Sequence, residues 1–390
     1  MRENWRFKAL GDVCHVIGGG TPSKKKAAFY DGEIPWATVR DMKEGILSHT
    51  EFCISKEAVQ HSSTNIIPAG NVVIATRVGL GKVCLLNQDT AINQDLRGII
   101  PNESIIDVRY LFRWFQSVSD VIQAEGTGAT VKGVKLPFIK SLKVPVPPLD
   151  EQKRIAAILD EAFAGIEKAV ANTEKNLANA RELFESYLSS LFLKHSEKWD
   201  WKILEDVCEN LDSKRVPITK SKRKPGKIPY YGASGVVDYV DDYLFDEDLL
   251  LISEDGANLL ARTYPIAFSI SGKSWVNNHA HVLRFSNYAS QKFIEYYLNS
   301  IPLTPYVTGM AQPKLNQKAL NSIPVPFPPI NIQHDIVRKL DELSDYCNSL
   351  VKVNELKIAS FAELKQSLLQ KAFSGELTAN ANNKRKEAAA

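Results

Sequence analysis

The chain has 390 residues, 44% of them hydrophobic and 24% charged, with a formal net charge of +3. That length allows two or three domains, and the composition is that of a soluble chain able to bury cores. No apolar run reaches the ~18 residues that a membrane helix needs. The five cysteines (Cys14, Cys53, Cys84, Cys208, Cys347) are scattered with no Cys-x-x-Cys spacing, so neither a zinc ribbon nor a disulfide framework is supported. The opening from Met1 to Arg6 lacks the apolar core of a signal peptide, and the expected compartment is cytoplasmic.

Residues 1–148 are rich in Gly, Pro, aromatic and β-branched residues. Gly18, Gly19 and Gly20 lead into Thr21, Ser23, Lys24, Lys25 and Lys26. Such a loop suits close backbone approach and phosphate contact. Ile34, Pro35 and Trp36 follow, then Arg40. The run from Asn71 to Ala75 reads as a strand, and the stretch from Tyr110 to Phe115 as a short helix. Arg77, Asn93 and Gln94 carry groups that can bridge guanine or adenine edges. Pro147 and Pro148 end this segment, the first expected domain.

From 149 to 194 the texture changes: there is no Pro and a single Gly, Gly165. Ile155, Leu159, Ala162, Ile166 and Ala169, then Leu177, Ala180, Phe184, Tyr187 and Leu191 recur at steps of three and four, which predicts a long helix with a coiled-coil seam. At ~1.5 Å per residue it would be on the order of 65 Å long.

Residues 195–329 return to the first texture. Seven of the 14 residues from Lys214 to Lys227 are basic, namely Lys214, Arg215, Lys220, Lys222, Arg223, Lys224 and Lys227. Two basic runs at comparable places raise the nucleic-acid reading. Ile228, Pro229, Tyr230, Tyr231 and Ser234 follow. Leu249–Ser253 reads as a strand, and Phe293 to Leu298 as a short helix. Asn277, Asn278, His279, Gln312 and Lys314 complete the candidate DNA-contacting set. Residues 330–376 predict a second long helix with its seam at Ile336, Leu340, Leu343, Cys347, Leu350, Phe361, Leu364, Leu368 and Ala372. Residues 377–390 read as a disordered polar tail.

The halves repeat each other. Trp5, Leu10, Asp12, Val13 and Cys14 match Trp199, Leu204, Asp206, Val207 and Cys208 at an offset of 194 residues, as do Gly32, Ile34 and Pro35 with Gly226, Ile228 and Pro229. Val144, Pro145, Pro147, Pro148, Gln152, Ile155, Leu159, Asp160 and Phe192 match Val325, Pro326, Pro328, Pro329, Gln333, Ile336, Leu340, Asp341 and Phe373 at an offset of 181. The second domain is therefore 13 residues shorter between its matched ends. The period is too long for a solenoid. The two helical seams become irregular at equivalent places, near Thr173 and Asn354. Two such helices are expected to pair antiparallel, and a duplicated module suits a ligand with two similar halves.

Catalytic signatures fail. Gly272-Lys273-Ser274 has Ala267 where a Walker A motif needs its first Gly. His279 and His281 have no neighbouring Cys or carboxylate cluster in the sequence, which favours hydrogen-bonding roles over a metal site. The lead-in Pro147-Pro148-Leu149 lacks the Asn of an amino-methyltransferase loop. Glu355 and Lys357, like Glu363 and Lys365, fall inside a helix and carry no nuclease reading. No metal or cofactor site is expected in this chain.

On its repeated Trp-x-x-x-x-Leu-x-Asp-Val opening, its Ile-Pro-Trp/Tyr segment, its Val-Pro-x-Pro-Pro-x-x-x-Gln lead-in and its closing run from Ser367 to Leu377, the chain resembles the specificity subunit of type I restriction–modification systems over nearly its full length. The resemblance implies an α+β fold of two mixed α/β target recognition domains joined by two long antiparallel helices forming a coiled-coil spacer, with a pseudo-twofold internal repeat. It implies double-stranded DNA as ligand, read as a bipartite asymmetric site. It implies two modification (methyltransferase) subunits and restriction subunits as partners, with S-adenosylmethionine, ATP and Mg held by those partners. It implies no catalytic activity in this chain. The contrasting expectation is a coiled-coil scaffold that does not bind DNA.

Overall fold

The computed structural model describes residues 5–43, 45–128, 132–195, 198–309 and 311–379. The chain divides into two compact units, Met1–Asn172 with Lys357–Ala390, and Thr173–Leu356. Each unit holds one globular domain and one stretch of each long helix. The first long helix is Leu149–His195 and the second Ile330–Ser374. Both start directly after the Pro-Pro pairs, where proline fixes φ and needs no N–H partner.

Among the described residues, each globular domain carries two larger sheets and a two-stranded one. In the first unit these are a five-stranded sheet (Cys14–Gly18, Leu96–Pro101, Val72–Ala75, Val83–Leu86, Ile46–Leu47), a four-stranded sheet (Phe52–Ile54, Ile34–Ala37, Thr90–Ile92, Asn65–Ile67) and a two-stranded clasp. In the second they are a four-stranded sheet (Glu209–Asn210, Ala280–Arg284, Leu249–Ser253, Ala267–Ile270), another (Gly235–Val240, Pro225–Gly232, Lys273–Val276, Phe245–Asp246) and a matching clasp. The clasps pair Arg6–Ala9 with Lys143–Val146 and Trp201–Ile203 with Pro324–Pro326, both antiparallel. Each ties the first strand of a domain to its last. The matched glycines Gly32 and Gly226 sit where a Cβ would lie 2.3 Å from the Ile54 carbonyl oxygen and 2.1 Å from that of Val240. Only glycine allows the neighbouring strand so close.

The domain helices Val108–Ser117 and Tyr288–Ser300 are capped by Asp107 and Asn287, whose side chains accept backbone N–H bonds from the first turn. Each helix is fixed to a long helix by matched residues. Gln152 is fully buried; its Oε1 accepts the Asp107 N–H at 2.8 Å, and its Nε2 donates to Ile105 and Pro147. Gln333, 1% exposed, accepts from the Ser290 hydroxyl and donates to the Pro328 carbonyl. Asp160 takes Arg113, and Asp341 takes the Tyr296 hydroxyl.

The long helices pair within each unit. In the first, Ile155, Leu159 and Ile166 share a core with Leu369 and Ala372, with Phe361 and Leu368 packed against it, and Glu167 meets Lys365 at 3.8 Å. In the second, Leu188 and Phe192 share a core with Val337 and Leu340, beside Phe184, Leu191 and Ile336, and Arg181 meets Glu355 at 3.1 Å. Early residues of one helix meet late residues of the other, so the pairing is antiparallel in both units. Leu177, Leu343 and Leu350 are half-buried. The buried stripe is broader than the expected seam: Phe163, Leu188, Phe192, Val337 and Leu369 are all buried. Near its ends each helix faces a globular domain as well as its partner, which widens the apolar arc beyond a coiled-coil seam. On the outer side, Tyr187 and Leu364 are 41% and 45% exposed rather than in the seam. Thr173 and Asn354, where the pattern falters, are both buried, and Asn354 donates its amide to the Leu350 carbonyl at 2.8 Å.

The expected tail differs at its start. Leu377 packs on the first unit's core, and Thr378, 1% exposed, donates to Glu151 at 2.7 Å. The remainder, 380–390, lies outside the described residues.

Candidate nucleic-acid interface

In the first domain, Ile34–Ala37 runs parallel to Thr90–Ile92, with Trp36 opposite Ala91 and Ala37 opposite Ile92. The next residue, Asn93, donates its backbone N–H to the Ala37 carbonyl at 3.0 Å. Its side-chain oxygen accepts the Asp95 N–H at 3.1 Å, a local turn that short amide side chains favour. Asn93 is thereby buried and Gln94 is lifted into solvent.

The second domain repeats the strand pair, the backbone hydrogen bond and the turn. Pro225–Gly232 runs parallel to Lys273–Val276, with Tyr230 opposite Trp275 and Tyr231 opposite Val276. Asn277 donates its N–H to the Tyr231 carbonyl at 3.0 Å. Its Oδ1 accepts the His279 N–H at 2.8 Å. Asn277 is buried and Asn278 exposed.

In the first domain the turn closes a cleft of ≈ 680 Å³ that gathers Thr21, Lys24, Trp36, Arg40, Asn93 and Gln94 from the sequence candidates. Its aromatic floor adds Tyr30 and Phe52, which stand edge-on to Trp36 at ring distances of 5.8 and 6.5 Å. Neither was legible as a site residue, because an isolated aromatic reads as core. The Thr21 hydroxyl meets Gln94 Oε1. Arg40, its side chain 81% exposed, stands on the short turn Val39–Asp41, which Thr38 and Asp41 close with a capping box. Arg77 lies 3.6 Å from Asp95, at a rim facing solvent. Ser23 and Lys25 are exposed on the neighbouring loop.

The glycines let the loop press on its own domain. A Cβ at Gly19 would lie 2.1 Å from the Asn93 carbonyl, and one at Gly20 2.3 Å from the Ser63 hydroxyl. Trp36 is 6% exposed and its indole N–H donates to the Gly20 carbonyl at 3.1 Å. Its ring lines the cleft while its polar atom pins the loop.

The basic run of the second domain also divides. Lys214, Lys220, Lys222 and Lys224 are exposed. Arg223 is half-buried: its guanidinium lies 4.3 Å over the Tyr230 ring, 2.9 Å from Asp238, and donates to the Ile218 carbonyl. Tyr230 is 1% exposed, with its hydroxyl bonded to the Ile218 backbone. Arg215 is drawn inward by two carboxylates, Glu254 at 2.6 Å and Asp212 at 3.4 Å. Both guanidiniums are half-buried and held by these carboxylates.

His281 completes that cluster, its Nδ1 2.5 Å from Asp212 and its Nε2 2.8 Å from the Leu315 carbonyl. Burial disfavours the Asp212 carboxylate, yet the hydrogen bonds from His281 and the Val282 N–H, with the nearby positive charges, hold it below the ordinary carboxylate range. Glu254 is lowered against its burial in the same way, by Arg215, His281 and Lys314. His279 is half exposed and lies 2.8 Å from Asp255, so both histidines are hydrogen-bonded. Lys314 reaches Glu254 at 3.2 Å and remains 53% exposed. Ser234 and Gln312 are exposed and Tyr231 is half-buried. Burial pushes the thiols of Cys14, Cys84 and Cys208 up to about 12, which leaves them protonated and poor nucleophiles near neutrality.

Comparison with known proteins places the chain in a family and its fold beside a solved one. The profile of the type I restriction modification DNA specificity domain matches twice, at residues 2–174 and 196–359. A type I restriction enzyme specificity subunit of Escherichia coli is 35% identical over 193 residues, 48% of either chain. The MjaIX specificity subunit of Methanocaldococcus jannaschii is 25% identical over 414 residues, covering 96% of this chain and 94% of its own. Two relatives above 30% identity are each matched over less than half of their length. A solved chain from a study of complex assembly and conformational transition in a type I system superposes with a TM-score of 0.79 at 18% identity, over 97% of this chain and 99% of that one.

Proposed function

Because the chain belongs to the type I restriction modification DNA specificity family, we propose that it is a sequence-specific DNA-recognition subunit that reads a bipartite, asymmetric site. One observation carries the reading: the same turn, with a buried Asn and an exposed carboxamide, is built twice in one chain, at the same backbone positions of two domains whose surroundings differ. Two related but unequal readers suit two unequal half-sites. Exposed Lys24, Lys25 and Arg40 in one domain, and Lys214, Lys220, Lys222 and Lys224 in the other, provide phosphate contacts that position the readers without specifying bases.

The paired helices serve as a spacer in this reading, as half-site separation follows protein geometry in dimeric DNA readers. Adenine methylation and restriction then belong to partners, two methyltransferase subunits and restriction subunits, which hold S-adenosylmethionine, ATP and Mg. The chain's own part is binding and orientation. A cytoplasmic location accords with this role.

The test is selection from a randomised duplex library by the full chain co-purified with methyltransferase subunits. Enrichment of two short motifs separated by a fixed gap is the expected result. Retention of DNA without sequence preference, or no retention at low salt, would favour the coiled-coil scaffold reading.

A further inference from the structure

We propose that the side-chain carboxamides of Gln94 and Asn278 are the specificity-determining groups of two matched reading heads, each contacting one adenine in its own half-site. This rests on the recognition reading above and narrows it from a set of candidates to one residue per domain.

Position is the first argument. Each residue follows a buried Asn whose N–H is bonded across a parallel strand pair, to Ala37 in one domain and to Tyr231 in the other. Each Asn side chain then holds the residue two further on. The backbone beneath the tip is thus fixed from both sides, and the tip itself is exposed. A group held on a rigid base loses little conformational freedom on binding.

Chemistry is the second. Both tips carry a hydrogen-bond donor and an acceptor side by side, and that pair matches the N6 donor and N7 acceptor of adenine in the major groove. Gln and Asn differ in reach by one methylene and share this chemistry. In the first domain the Thr21 hydroxyl meets Gln94 Oε1.

The surroundings supply the third. The residue after each tip is paired with a residue of a neighbouring strand end, but with the acidic member exchanged: Asp95 with Arg77 in one domain, His279 with Asp255 in the other. Arg77 forms a backbone bridge with Gly133, and Asp255 forms the equivalent bridge with Lys314. The heads therefore share a carboxamide and differ in the electrostatics beside it. That gives one common base type with different neighbours in the two half-sites.

The experiment repeats the library selection with Gln94→Ala and Asn278→Ala in the full chain, co-purified with methyltransferase subunits. Each variant is expected to lose discrimination for adenine at one position of one half-site, by roughly ten- to a hundredfold, while other positions and the thermal midpoint stay as in the parent. A third variant, Gln94→Arg, is expected to move preference at that position towards guanine. Unchanged preference in either alanine variant, or uniform weakening at all positions, would overturn the inference and leave the recognition reading standing. A parent complex that selects no sequence overturns both.

Discussion

Asp255 holds His279 at 2.8 Å at the place where the other repeat sets Arg77 3.6 Å from Asp95. The strand framework is shared and the acidic member of the pair changes sides. His279 is 51% exposed, and pairs facing water contribute about 0–1 kcal/mol. Stability is thus a poor reason for this pair. Asp255→Ala should cost less than about 1 kcal/mol in urea unfolding and yet alter base preference next to the Asn278 position in library selection. A large loss of stability with unchanged preference would make the pair structural.

The exposed lysines of the second domain should act on every DNA sequence alike. Replacing Lys220, Lys222 and Lys224 by Ala should weaken binding throughout and reduce the slope of log K against log salt by up to roughly 0.9 per lost phosphate contact. A salt titration by fluorescence anisotropy measures this. Arg223→Ala is the comparison: with its guanidinium held by Asp238 and the Tyr230 ring, it should act mainly on stability.

Acid should open the second unit through Asp212 and Glu254. Both carboxyls sit below their ordinary range in the folded chain. The unfolded chain therefore takes up protons first as the pH falls. The stabilisation is complete above the ordinary carboxylate range and is lost as pH drops through it towards the folded values. Arg215→Ala should leave these carboxylates short of a partner at neutral pH, at a cost of roughly 3–5 kcal/mol. Chemical denaturation across pH 3–7 (about the carboxylate range) follows both effects; an acid profile unchanged in the variant would refute the assignment.

Gly19→Ala tests the packing of the glycine loop. The added Cβ would fall 2.1 Å from the Asn93 carbonyl, which belongs to the backbone and cannot swing aside. A loss of roughly 1–3 kcal/mol is expected, seen by hydrogen exchange as loosening of the first domain with the second unaffected. Gly70→Ala meets no atom within 4 Å and serves as a comparison for the φ penalty alone.

Removing one heptad from each long helix, at matched positions, should shorten each by about 10.5 Å. In library selection the gap between the two motifs should contract by roughly three base pairs, at about 3.4 Å each, with the motifs unchanged. An unaltered gap would refute the spacer role.

The repeat, the long helices and their antiparallel pairing were legible because seams and matched prolines are written locally. The matched Gln152 and Gln333 were visible as a pair, but their latching role needed the buried carbonyls that they meet. The internal partners of Arg215 and Arg223 were not legible, because a basic run records charge and not the carboxylates that the fold brings to it. Asp212, Glu254 and Asp238 lie up to 39 residues away from the arginines they hold. The broader buried stripe at Phe163 and Leu369 was likewise set by a surface from another part of the chain. Asn93 and Asn277 were found as polar candidates, while the turns they build became clear only from the parallel strand pairs.

The two-stranded clasps have a consequence for inheritance. Each closes a domain by joining its first strand to its last, Phe7 opposite Pro145 and Lys202 opposite Val325. Whatever lies inside can change in length, as the 13-residue difference between the halves records, without shifting the register of the helix that follows. A gene cut at the clasps and rejoined to another of the same design would exchange its reading vocabulary in one step and keep its grammar.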